Sequence, residues 1–406
     1  MPGIIEIITL LLGLTGFGFE SNPNAPTADA ALQYAMPDAD VVIHFDGAVI
    51  VPKNYAVLAN LVNQPQIKAS PELLKMVRDM TGQMEGARGM AKTMTGFDPV
   101  TDIADGTMTV VVPASGDPTF VVQVHGKFTP ALIDKIASMS GQPVGKVNGG
   151  SILEGKGDQP AVAVTSTGVL LAGTTKLVRD RLAATWKMPA RPANSALAMA
   201  AEVIATRPIF AIGIALSPTA KARALADQHG ETNFATDLMQ RGRGASFAVY
   251  ADGIAWTWND KTKAGADSMA MMSEGLMELL RAAAIAPRGL AKIAIGALDS
   301  YKGKSKQIDA LIAHKADLMK LVETYSGDGN FKVAIATNPK SFQVTARATG
   351  KSLSEVVPAG MLVPIGALFF GRDTGAALSG PSARIATPPG PGPAPKPRQP
   401  APAPHH

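Results

Sequence analysis

Short runs in which every second residue is apolar recur along this chain, and they come in pairs about Gly, Pro and Asp, so much of it must fold as β-hairpins. Residues 108–112 and 120–125 flank Pro113-Ala-Ser-Gly-Asp-Pro118, and 161–164 and 169–171 flank Ser166-Thr-Gly168. Phe247–Tyr250 and Ile254–Trp258 flank Asp252-Gly253, a dipeptide whose backbone suits a two-residue hairpin turn. A fourth pair, Phe331–Ile335 and Phe342–Ala346, surrounds Asn338-Pro339, while Val41–Phe45, 144–153 and Ile209–Ala215 read as further extended segments. Helical spacing predicts helices over 55–94, with a break near Pro65 and Pro71, and over 129–139, 175–184, 218–229, 233–240, 264–286 and 304–324, with a helical start at Lys351.

Both halves therefore spell strand, helices, hairpin, helix, hairpin, helix. This order predicts an α+β fold of two pseudo-repeated domains, 38–187 and 193–372, each an antiparallel sheet with helices packed on one face. Met188-Pro-Ala-Arg-Pro192 is the expected linker, residues 1–37 an apolar targeting or anchor segment with its own linker, and 373–406 a Pro-rich disordered tail. Three phrases of the first half, Phe97-Asp-Pro-Val-Thr-Asp-Ile103, Asp117-Pro-Thr-Phe-Val-Val122 and Leu170-Leu-Ala-Gly-Thr174, each sit at an edge of a predicted strand or helix. In that arrangement the chain resembles the uncharacterised exported tandem-domain proteins of several bacterial phyla, well over 38–182 and poorly beyond. The resemblance implies this fold and an envelope location, and it implies no activity.

Composition narrows the chemistry. Of 406 residues 46% are hydrophobic and 17% charged, so most of the chain should be packed under a bland surface. Without cysteine there are no disulfides, thiolate zinc sites, iron–sulfur clusters, thiol nucleophiles or lipidated lipoprotein cysteine. The net charge is +5, and three positive charges, Arg384, Lys396 and Arg398, lie in the last 26 residues, which hold no acid. The nearest approach to a basic stripe is Arg241-Gly-Arg243, too little to track phosphates, so no nucleic-acid partner is expected. Gly303-Lys-Ser305 and Gly350-Lys-Ser352 lack the upstream glycine of a phosphate loop, with Leu298 and Thr345 in its place. Gly-x-Ser-x-Gly and His-Glu-x-x-His are absent as well, and no cofactor is expected.

The two ends point to a membrane. Residues 3–19 are apolar save Glu6, and Ile4, Ile5, Ile8, Leu11, Leu12, Phe17 and Phe19 are its candidate membrane-contacting side chains. The run is slightly short for a span and lacks a basic leader, although Ala28-Asp-Ala30 offers small residues at a cleavage position. An uncleaved anchor, a cleaved signal and a buried element all remain open. A second uncharged run, 356–371, is interrupted by Pro358 and Pro364, and reads as the end of the second core or as a further membrane-seeking element. Ten prolines after residue 380 hold an extended spacer of up to about 70 Å, ending in His405-His406. The expected location is the periplasmic side of a bacterial cell envelope, with the N-terminal segment as anchor.

Few residues could carry chemistry. His44 and His125 lie in predicted strands, with Asp46 on the face of His44, which is raw material for a metal or acid–base site; the plainer reading is polar residues on the solvent face of a half-buried sheet. Trp256 and Trp258 share one face of a strand and are candidate ligand-binding residues, or the heavy part of a core. Met76, Met80, Met84, Met90 and Met94, and Met269, Met271, Met272 and Met277, fall at core spacing, which favours packing over an apolar-partner groove and disfavours Cu(I). The expectation is a non-enzymatic structural or binding subunit of a membrane-linked envelope assembly, whose partners are other protein subunits and the membrane. The alternative is a membrane-associated metal-handling protein or hydrolase using His44 and His125. A third reading, membrane remodelling, would place the Met-rich helices in the bilayer.

Overall fold

Twelve strands join into one antiparallel sheet among the described residues of the computed structural model, which are 22–350 apart from 64–66, 69–70, 156–158, 189, 227–236, 238–239 and most of 279–331. In the first half the chain forms α1 (Ala28–Ala31), β1 (Val41–Phe45), α2 (Gly47–Asn60), α3 (Pro71–Thr95), β2 (Ile103–Val111), β3 (Thr119–Gly126), α4 (Pro130–Ser140), β4 (Val144–Val147), β5 (Gly150–Leu153), β6 (Ala161–Val164), β7 (Val169–Gly173) and α5 (Thr175–Leu182). It continues as α6 (Ala196–Ile204), β8 (Phe210–Ile214), α7 (Pro218–Ala226), β9 (Gly242–Tyr250), β10 (Gly253–Asp260), α8 (263–278), β11 (Lys332–Asn338) and β12 (Gln343–Thr349).

The α+β class is as expected, but the two halves do not own separate sheets. The strand order is β11-β12-β10-β9-β8-β1-β2-β3-β7-β6-β5-β4, and β1 is the seam. One edge of β1 pairs with β2, Val41 opposite Val110, and the other with β8, Val41 opposite Ile214. Strand pairing is satisfied on both sides of β1, so the halves share a sheet instead of ending at an open edge.

Helices cover both faces, a second departure from expectation. Val121, Val42, Leu171, Ala163 and Ile152 point to one face, where α5 and α6 pack with Val178, Leu182, Leu197 and Ala200. Val124 and Val164 point to the other, beneath Ile133 of α4 and Phe128. Gly213 on β8 lets α6 settle directly on the strand: a Cβ there would lie 2.7 Å from the Ala196 carbonyl oxygen and the Ala200 nitrogen.

The Gly-Phe-Asp-Pro phrase is a structural joint. Gly96, at φ +78°, ends α3 in the left-handed region, and Phe97 stacks on Phe128 with ring centroids 4.7 Å apart. Asp98 accepts two hydrogen bonds from Arg88, each 2.9 Å, and one from the Val100 N–H at 3.0 Å. The Arg88 guanidinium holds the Asp98 carboxyl down to about 2. The extended segment 144–153 is itself a hairpin, turned by Asn148 and Gly149 at φ +46° and +76°. The expected helix from Lys351, most of those over 233–240 and 304–324, the apolar runs 3–19 and 356–371, the proline tail, and His229, His314, His405 and His406 lie outside the described residues.

Candidate functional site

Strand alternation puts Asp105, Thr107 and Thr109 on one face of β2, and register places them beside neighbours of like polarity. His44 on β1 is opposite Thr107, Thr107 is opposite Gln123 on β3, and Asp105 is opposite His125. This polar stripe faces inward, beneath α1 and α6, and not toward solvent as the plainer sequence reading expects. His44 is 2% exposed, and Asp105, Thr107, Thr109 and Gln123 are 1% exposed each. Burying so many polar groups is tolerable only because each has a partner.

For Gln123 and Thr109 those partners come from the end of α1 and the segment that follows it. Gln123 Nε2 donates to the carbonyls of Ala30 at 3.1 Å and Ala31 at 2.6 Å, while its Oε1 accepts from the Tyr34 N–H at 2.7 Å. Thr109 Oγ1 accepts from the Met36 N–H at 3.2 Å. From the other side Arg181, on α5, donates to the Tyr34 carbonyl at 2.6 Å and lies over the Trp186 ring, whose Nε1 donates to the Gln33 carbonyl at 3.1 Å. Burial lowers the Arg181 pKa to about 10. Residues 30–36, the end of α1 and the turns after it, are thus an internal strap, and several of its backbone polar groups are met by side chains because it runs outside any ladder. Leu32, Ala35 and Met36 fill the core between β1, β3 and α6.

The two candidate histidines share this stripe with Asp105 between them. His125 Nδ1 lies 2.9 Å from Asp105 Oδ1, and His44 Nδ1 lies 3.0 Å from Thr107 Oγ1. Burial pushes the His44 pKa down to about 4, against an upward pull from Asp105, so this imidazole is neutral at pH 7. Asp46 does not join them. It closes the start of α2, accepting from the Val49 N–H at 3.1 Å and from Asn22 Nδ2 at 3.3 Å, and burial raises its pKa. Among the described residues no three His, Cys, Asp or Glu side chains converge as a metal ion would require.

The opposite face of the same strands carries the apolar residues. Two cross-strand rows run from β3 to β10: Phe120, Val110, Val41, Ile214, Ala245, Trp258, and beside it Val122, Met108, Ile43, Ile212, Phe247, Trp256. None of the twelve is buried; Phe120 is 39% exposed and Ile214 37%. At the β8–β10 end a cavity of about 200 Å3 opens between Ile212, Ile214, Phe247, Trp256, Trp258 and Met269 of α8. The two tryptophans, read from sequence as core or platform, wall this cavity, and their N–H groups are held by Ser273 Oγ and Asp260 Oδ2, each at 3.1 Å. Core spacing misplaces several methionines: Met80 and Met277 pack inward, whereas Met90, Met94 and Met271 are 63%, 44% and 68% exposed. Ile4, Ile5, Ile8, Leu11, Leu12, Phe17 and Phe19 lie outside the described residues.

Sequence reasoning missed Asp105, Thr107, Thr109, Gln123 and Arg181. A signal was present in the period-two polar run of β2 and β3, but alternation does not say which face the remaining chain will cover.

No family model matches the chain, and no curated protein matches it. Two solved structures, of TP0453 in crystal forms III and IV, are distantly similar. Form III has 9% identity over 80% of this chain and 96% of that one, with a TM-score of 0.35. Form IV has 10% identity over 59% and 80%, with a TM-score of 0.30. At those scores the likeness carries no argument about fold or function. No described helix is long and apolar enough to cross a membrane.

Proposed function

We propose that this chain is a non-enzymatic binding subunit of a membrane-linked assembly in the bacterial envelope, and that the apolar face of its central strands is where it takes a protein partner. One observation carries the reading: the central sheet is inverted, with its polar stripe enclosed and its apolar rows at the surface. Each Å2 of apolar surface removed from water contributes about 25 cal/mol, so twelve aligned and only partly covered side chains, Phe120 and Ile214 the most exposed, offer binding energy to a partner. The apolar run 3–19 and the proline arm support the envelope location.

The test is a double substitution, Phe120→Glu with Ile214→Glu, in the full chain expressed in its own host. Co-sedimentation with other envelope subunits is expected to fall at least tenfold while circular dichroism stays unchanged; undiminished association would sink the proposal. The hydrolase or metal-handling alternative draws on the Asp105–His125 pair. Replacing both His44 and His125 by Ala should leave association intact, and loss of function in a folded double variant would favour that alternative.

A further inference from the structure

A sheet that does not close has two edges, and here they are built differently. At one end β4 has only four residues, follows Pro143, and carries Lys146, whose ammonium group pairs with Asp134 at 2.6 Å. A short, charged edge strand is difficult to extend. At the other end β11 has seven residues, Lys-Val-Ala-Ile-Ala-Thr-Asn, and runs in unbroken register along β12 from Lys332 opposite Thr349 to Asn338 opposite Gln343. It has no bulge, no proline, and no charge after Lys332. Its outer edge takes no strand among the described residues, and Ala334 and Ala336 are exposed. A long, flat edge of unpaired N–H and C=O groups is a template for another strand.

We propose that the strand added there is β11 of a second copy of this chain, paired antiparallel about a two-fold axis at Ile335. That axis sets Ile335 opposite itself, Ala334 opposite Ala336, Val333 opposite Thr337 and Lys332 opposite Asn338. β-Branched residues meet β-branched residues, small meets small, and no like charges oppose. Parallel pairing in register would set the strand's one charge, Lys332, against its own copy. The two-fold contact is self-complementary, as a homodimer interface must be, and it continues the antiparallel order of the whole sheet. Two seven-residue strands bury little area, so the dimer dissociates on dilution.

The test is analytical ultracentrifugation of the full chain in mild non-ionic detergent, over a dilution series. The expected result is a shift from twice the 42.0 kDa chain mass to the chain mass. Ala334→Glu with Ala336→Glu sets carboxylate against carboxylate at both flanking pairs, and is expected to be monomeric throughout. Ala334→Glu with Ala336→Lys sets opposite charges there and is expected to restore the dimer. Both positions are exposed, so the circular dichroism of both variants is expected to match the wild type. A wild-type chain that stays monomeric at every concentration, or a double-Glu variant that dimerises like the wild type, overturns the proposal.

Discussion

His44 shows how one buried residue can link pH to stability. Unfolded, its imidazole titrates at the ordinary 6.5; folded, burial holds it at about 4. Between those values the unfolded chain binds more protons, so stability falls as pH drops from 6.5 to 4, by about 3 kcal/mol from this group alone. Asp46 works the other way, because its raised native pKa makes acidification favourable, and the net loss is smaller. His44→Asn, which keeps a hydrogen-bonding group near Thr107 and does not titrate, is expected to flatten the denaturation free energy across that window. An unchanged slope would show that His44 is not the group responsible. Gln123 holds the strap by three hydrogen bonds, so Gln123→Leu removes the side-chain partner of the Tyr34 N–H and of the Ala31 carbonyl, while the Ala30 carbonyl keeps the Gln33 N–H at 3.2 Å. The expected cost is about 3 kcal/mol, read by urea titration, with faster amide exchange confined at first to residues 30–36. Both histidines were legible as candidates from the chain alone. Their enclosure was not, since the residues that enclose His44 come from segments distant in sequence.

At the scale of elements, the hairpins were the most legible parts, because turn residues and alternation are local properties: 108–125, 161–171 and 247–258 all form as expected. The helix α6 was not anticipated, although Ser195 caps it by accepting from the Ala198 N–H at 3.1 Å. Its run Ala-Leu-Ala-Met-Ala-Ala-Glu-Val-Ile sits beside a Pro-rich linker and has too little polar contrast to show a clear helical face. Likewise α2 begins at Gly47, well before the expected start, with Asp46 accepting from the Val49 N–H at its first turn and Pro52 within the helix. The close seat of α6 yields a sharp expectation. Gly213→Ala should destabilise the protein by about 2 kcal/mol in chemical denaturation, since the new methyl meets backbone atoms and not a side chain able to move. A neutral effect would mean that α6 can shift without loss.

For the whole molecule, the seam at β1 and the core shared by Leu32, Val42, Val121, Leu197 and Ile204 tie the two halves together. Calorimetry is therefore expected to show one transition for the sheet, with equal calorimetric and van't Hoff enthalpies, and a fragment ending at residue 187 should not fold alone. Two resolved transitions would contradict that coupling. From its sequence by itself, this protein is determined as an α+β chain of antiparallel hairpins, without cysteine chemistry, because hairpin pairing, turn chemistry and composition act over a few residues. Only the tertiary structure decided that the halves share one sheet and that the polar stripe lies inside while the apolar rows lie outside. Alternation along a strand distinguishes two faces and is silent about which of them is covered, and that choice rests on where the strap and α6, remote in sequence, come to pack.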